Sequence, residues 1–177
     1  CTAGCAGAIY GQASILPFLL ISRVGISPQE FGVGMFLQSG VYMLASLWTR
    51  WLMRRVPAAR LVPWGGAIVL VGAIALAGGT LLMEPNFWTI MLPVAIYAFG
   101  YAHAAPAVMT AAFASHPQRA GAASALHGFM QIATGFLIGL MAALFANPAH
   151  AMGILVGASI TLGALAGLAW YRLEGRT

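Results

Sequence analysis

Residues 31–60 read FGVGMFLQSGVYMLASLWTRWLMRRVPAAR, and this stretch decides the fold. Residues 31–49 carry no formal charge, and then Arg50, Arg54, Arg55 and Arg60 follow in quick succession. A helix needs about 20 predominantly apolar residues to cross the hydrocarbon core of a bilayer. The run is that long, and the arginines that end it stand where a chain leaves the membrane. The same alternation fills the rest of the chain. Residues 1–22, 61–83, 85–118 and 120–171 are also free of formal charge. The first two of these read as one crossing each, and 85–118 as one crossing with its approaches. Residues 120–171 are too long for one helix and are interrupted by Asn147-Pro148-Ala149-His150, so they hold two.

The reading is therefore six transmembrane helices, at about 1–21, 31–51, 61–83, 87–113, 120–146 and 151–171. Composition agrees: 61% of the residues are hydrophobic and only 6% charged, against roughly 25% charged in a soluble domain. The positive balance comes from arginines scattered over separate joints. With no basic aromatic face, it does not indicate nucleic acid. Cys1 and Cys5 lie one helical turn apart in an apolar run, which indicates packing rather than a disulfide or a metal pair. Nothing basic precedes the first apolar run, so no cleavable signal is visible. The chain opens at a cysteine inside a hydrophobic segment, as a piece of a longer polypeptide would.

The joints alternate in charge. Arg50, Arg54, Arg55 and Arg60 follow the second helix, Arg119 the fourth, and Arg172 and Arg176 the sixth. On the other side, Arg23 stands with Glu30, Glu84 stands alone, and the joint after the fifth helix is uncharged. The excess of arginine in cytoplasmic loops then places both ends of the segment in the cytoplasm. No joint is long enough to house a soluble catalytic domain, so the function lies within the bundle.

A pattern recurs at a constant offset of 89 residues. Gly11 and Pro17 are echoed by Gly100 and Pro106, and Pro28-Gln29 by Pro117-Gln118. Each copy is a three-helix unit, and an odd number of crossings makes the two copies inverted. Inverted three-helix repeats are a mark of secondary transporters.

No carboxylate or arginine falls in the middle of a helix, so the usual markers of a proton relay are absent from this segment. Hydroxyl, amide, indole and imidazole groups remain. Tyr10, Ser14 and Pro17 share a face of the first helix, with Gln12 to one side. Gln38 and Tyr42 share a face of the second, Tyr97 and Tyr101 lie one turn apart on the fourth with His103 near mid-depth, and His127, Gln131 and Thr134 line up on the fifth. Each such group either bonds a neighbouring helix or meets a solute. The four histidines, His103, His116, His127 and His150, belong to different segments, so no metal site is expected. The pairs Gly7/Gly11, Gly135/Gly139, Gly153/Gly157 and Gly163/Gly167 indicate close helix packing. Pro17 and Pro106 are candidate helix breaks beside a substrate path, or static kinks.

Leu16-Pro17-Phe18, Ile26-Ser27-Pro28-Gln29-Glu30-Phe31-Gly32, Arg54-Arg55, and the run from Arg119-Ala120-Gly121 through Ala123-Ser124-Ala125-Leu126 to Gly128-Phe129-Met130-Gln131 together resemble the bicyclomycin/chloramphenicol-resistance branch of the major facilitator superfamily. The likeness covers the C-terminal half of such a transporter. It implies helices seven to twelve of a proton-coupled drug-efflux antiporter of a bacterial inner membrane, with the N-terminal six-helix half as partner. The acidic groups that carry the coupling proton would lie in that half. The resemblance places the first and fourth helices against a central cavity, which brings Tyr10, Gln12, Ser14, Tyr97, Tyr101 and His103 forward as substrate-binding candidates. Gln38, Tyr42 and Gln131 follow from the flanking helices, and the third and sixth helices face lipid. Two departures stand out. Ala107 replaces the Asn that many members carry after the proline of the fourth helix, and the arginine loop lacks the superfamily's aspartate. The expected function is export of small apolar drugs or metabolites by alternating access, with no cofactor and no catalysis. An importer, a dedicated sugar or metabolite carrier and a membrane scaffold remain the alternatives.

Overall fold

The computed structural model describes residues 2–114, 118 and 120–173. Cys1, His116, Pro117, Arg119, Glu174 and Arg176 lie outside the described residues. Six helices are long and apolar enough to cross a membrane: α1 Thr2–Val24, α2 Pro28–Leu52, α3 Ala58–Leu81, α4 Phe87–Thr110, α5 Gly121–Ala142 and α6 Pro148–Leu173. No strand occurs among the described residues. The fold is all-α and of membrane type, as the charge pattern predicts. Its outer surface agrees, because Phe36, Trp64, Ile74 and Leu82 are each more than 70% exposed, an apolar covering suited to lipid.

Local chemistry sets the helix ends. α2 starts three residues before the apolar run because Ser27 and Glu30 form a capping box. The Ser27 side chain accepts from the Glu30 backbone N–H at 3.2 Å, the Glu30 carboxylate accepts from the Ser27 N–H at 2.8 Å, and Pro28 takes the first helical position. Glu30 is thus committed to its own helix. Arg23 turns instead to Asn147, donating to its side-chain oxygen at 2.8 Å, so the joints after α1 and α5 meet at one end of the bundle. Asn86 caps α4 by accepting from the N–H groups of Trp88 and Thr89. Asn147 does the same for Ala149 at the start of α6.

Helix type changes after Pro17. The α-helix Thr2–Pro17 continues as a π-helix over Phe18–Val24, ending at Gly25 with φ 81°. A proline lacks the N–H for its own i−4 bond and crowds that carbonyl, which disfavours regular α geometry there. Pro106 behaves differently. The α-helix Phe87–Ala114 runs through both Pro93 and Pro106 without a change of type. A second π segment, Met152–Val156, lies near the start of α6.

Glycines fix how the helices pair. On α3, Gly65, Gly72 and Gly79 recur every seventh residue, and a Cβ on each would sit 2.6–2.7 Å from backbone or Cβ atoms at Gly100, Tyr97 and Thr89 of α4. Ascending numbers on α3 meet descending numbers on α4, so the pair is antiparallel. On α1, a Cβ at Gly7 would meet Thr134 and one at Gly11 would meet Ile138, so α1 and α5 run parallel. Gly34 of α2 meets Phe87 and Met91, and Tyr42 stacks on Tyr101, so α2 and α4 are parallel as well. α6 packs on α3 and on α1. Alternate crossings require these directions. Burial is unequal: 72% of the most apolar stretch of α4 is buried, against 17% for α2 and 11% for α5. α2 leans on α4, α5 leans on α1, and each turns its other faces outward.

Candidate functional site

Between these helices lies an open cleft of about 450 Å³, within the usual range for small-molecule sites. α1 contributes Ala6, Ile9 and Tyr10, and α2 contributes Gln38, Ser39 and Tyr42. α4 adds Ala98, Tyr101 and Met109, and α5 adds Gln131. Gln38 is ten residues into α2, which at 1.5 Å per residue is about 15 Å, half of a ~30 Å hydrocarbon core. The cleft therefore sits near mid-depth.

Two ring systems form one wall. Tyr42 and Tyr101 stack with centroids 6.2 Å apart and planes inclined by 27°. Tyr101 is only 7% exposed, whereas Tyr42 and Tyr10 are exposed. Tyr101 is thus a buried anchor and the other two rings border the opening. Amides supply the polarity. Gln38 is 7% exposed, and its side-chain oxygen is buried with no hydrogen bond among the described residues. Gln131 reaches back along α5, its amide nitrogen 2.6 Å from Nε2 of His127, whose Nδ1 lies 3.3 Å from the Thr2 hydroxyl. Among the described residues no carboxylate, arginine or lysine lines the cleft.

Five of the nine predicted binding residues, Tyr10, Gln38, Tyr42, Tyr101 and Gln131, meet here. The other four lie elsewhere. Gln12 is fully buried, with neither amide atom bonded among the described residues. The Ser14 hydroxyl donates to the Gly11 carbonyl at 2.7 Å and fits against Gly139, where it borders a separate groove between α1 and α5. Tyr97 lies in the core with its hydroxyl unpartnered among the described residues. His103 is buried, with Nδ1 2.8 Å from the Phe99 carbonyl and its ring against the Phe99 ring.

The parting of Tyr97 from Tyr101 has a physical cause. The two side chains differ by about 40° around the helix. Gly72 admits the Tyr97 backbone against α3, which turns that ring into the core and leaves Tyr101 to face α2. Sequence reasoning missed Ser39, Met109 and the small apolar lining. Ala6 stands one helical turn before Tyr10 and Ile9 three residues after Ala6, which is the only signal they carry. Pro17 and Pro106 do not line the cleft. Cys5 is buried and its thiol lies 3.9 Å from the Ile160 carbonyl, a packing contact. Among the described residues no three His, Cys, Asp or Glu side chains gather into a possible metal site.

Compared with protein-family models, with curated proteins and with solved structures, the chain has no match in any of the three.

Proposed function

We propose that this chain is one six-helix half of a major facilitator-type secondary transporter, which exports small, largely apolar solutes across a bacterial inner membrane. The observation that carries this reading is the mid-depth cleft, walled by α1 and α4 with α2 and α5 at its sides. Transporter substrate sites lie near the midplane between repeats. The packing supports two inverted three-helix units. Exchanging α1 with α4, α2 with α5 and α3 with α6 maps the parallel α1/α5 pair onto α4/α2. The same exchange maps α3/α4 onto α6/α1 and α3/α6 onto itself, and each of these pairs is in contact. The thinly buried α2 and α5 flank the cleft mouth, where an N-terminal half would close it.

Stacked tyrosines and two amides, without charge, suit flat apolar molecules and favour breadth over selectivity. Arg50, Arg54, Arg55, Arg60 and Arg172 gather at one end of the bundle, and Trp51 and Trp64 stand beside them, as in an interfacial aromatic belt. That end is assigned to the cytoplasm, in an antiporter whose coupling carboxylates belong to the N-terminal half.

The test compares Tyr101→Ala with Tyr171→Ala in cells producing the full native polypeptide at matched levels. Tyr171 is on α6, which contributes no residue to the cleft. Accumulation of carbazole, a flat neutral fluorophore, should rise several-fold with Tyr101→Ala and stay at the native level with Tyr171→Ala. Equal accumulation in both would remove the cleft assignment and leave a scaffold.

A further inference from the structure

His127, Gln131 and Gln38 together fix the hydrogen-bonding sense of the cleft. An amide nitrogen has no lone pair to accept with, so the 2.6 Å contact between Gln131 Nε2 and His127 Nε2 is an amide N–H donating to an unprotonated ring nitrogen. That leaves the proton of the neutral ring on Nδ1, which faces the Thr2 hydroxyl. With its nitrogen committed to His127, Gln131 offers the cleft its oxygen, which bonds no other described residue. Across the cleft, the Gln38 oxygen is buried and lacks a donor. A buried unpaired carbonyl costs about 1–3 kcal/mol, and an arriving N–H or O–H would relieve that cost. The tyrosine and serine hydroxyls of the lining adapt as donor or acceptor, so the two amides set the preference.

We propose, resting on the transporter reading of the cleft, that its substrates are flat solutes carrying N–H or O–H donors and that His127 is the positioning residue which makes the cleft accept them. The ring nitrogen holds the amide by its N–H, and without that acceptor the amide is free to turn over. The cleft would then receive an NH2 group where it had a carbonyl, and a donor-bearing solute would lose that acceptor.

Other side chains around α5 do not duplicate this role. α5 packs against α1, α4 and the Pro148 end of α6. α1 brings Cys5, committed to Ile160, and Tyr10. α4 brings Tyr97, Tyr101 and His103, whose Nδ1 is held at the Phe99 carbonyl. Tyr42 lines the same cleft from α2. His150 lies at the far end of α6, beside the joint where Arg23, the one formal charge among the described residues of α1, α4 and α5, is bound to Asn147.

The experiment uses the full native polypeptide in lipid nanodiscs, with carbazole, a flat neutral molecule with one N–H, and N-methylcarbazole, which has none. Binding is corrected against empty discs at pH 7.5. Carbazole should bind about fivefold more tightly than N-methylcarbazole, equivalent to about 1 kcal/mol. This preference should shrink in His127→Leu and persist in His127→Gln, whose side-chain oxygen can accept from Gln131. Nitrogen NMR of the His127 ring in the native protein gives a second reading that needs no variant, with Nε2 carrying no proton. A proton found on Nε2, equal binding of the two probes, or an undiminished preference in His127→Leu overturns the proposal while leaving the transport reading standing. If neither probe binds the native protein, both fall.

Discussion

Gln12 and Gln38 carry the same amide one helix apart, yet they stand in opposite situations. Gln38 borders a cleft that can deliver a partner, whereas Gln12 is sealed with both amide atoms unbonded among the described residues. A buried unpaired amide destabilises, and an apolar side chain of similar shape removes the penalty. Gln12→Met should therefore raise the melting temperature of the purified protein by a few degrees, as read by thermal unfolding in detergent. Gln38→Met should weaken solute binding instead. The glycines divide in a similar way. A Cβ at Gly72 would meet the Tyr97 backbone at 2.7 Å, while one at Gly121 or Gly128 would meet nothing within 4 Å. Gly72→Val should cost about 1–3 kcal/mol by forcing α3 off α4, whereas Gly128→Ala, inside α5 with open space for its Cβ, should stabilise by about 0.5–1 kcal/mol and raise the unfolding midpoint.

At the scale of the element, the six helices were legible because apolar length and charge are one-dimensional signals. Residues 31–60 carry both, and the span found there, Pro28–Leu52, differs from the expected one by three residues at its start. Those residues belong to a capping box that Ser27 and Glu30 spell in the sequence. Ser27→Ala removes its acceptor and should cost about 1 kcal/mol, visible as faster amide exchange over the first turn of α2. The heptad of Gly65, Gly72 and Gly79 is equally plain in the sequence, but what those glycines meet on α4 is not, because contact between helices depends on rotation and register. The same limit governs the site. Helical spacing brought Gln38 and Tyr42 to one face, as the structure has them. Spacing alone did not tell which of Tyr97 and Tyr101 turns outward, since the choice is made by Gly72 on another helix. The π segment after Pro17 and the unbroken helix at Pro106 differ although the prolines occupy matching places. The side chains and backbone surrounding each proline, rather than the proline alone, decide the outcome.

For the molecule as a whole, the arrangement to explain is a bundle whose most buried helix, α4, and whose leading helix, α1, both reach one mid-depth cleft. α3 and α6 stay behind them, packed on each other and contributing nothing to its lining. The proposed alternating access would require this cleft to open to each side of the membrane in turn. Ser39 is the residue to probe, because it is exposed in the cleft and makes none of the amide or ring contacts that define it. The decisive measurement is the reaction of a Ser39→Cys variant of the full native polypeptide, its other cysteines replaced, with a membrane-impermeant maleimide. The reagent is applied separately to right-side-out and to inverted membrane vesicles. A transporter of this design should be labelled from both sides, and more slowly in the presence of carbazole. Labelling from one side only, or from neither, would contradict a substrate path through the cleft.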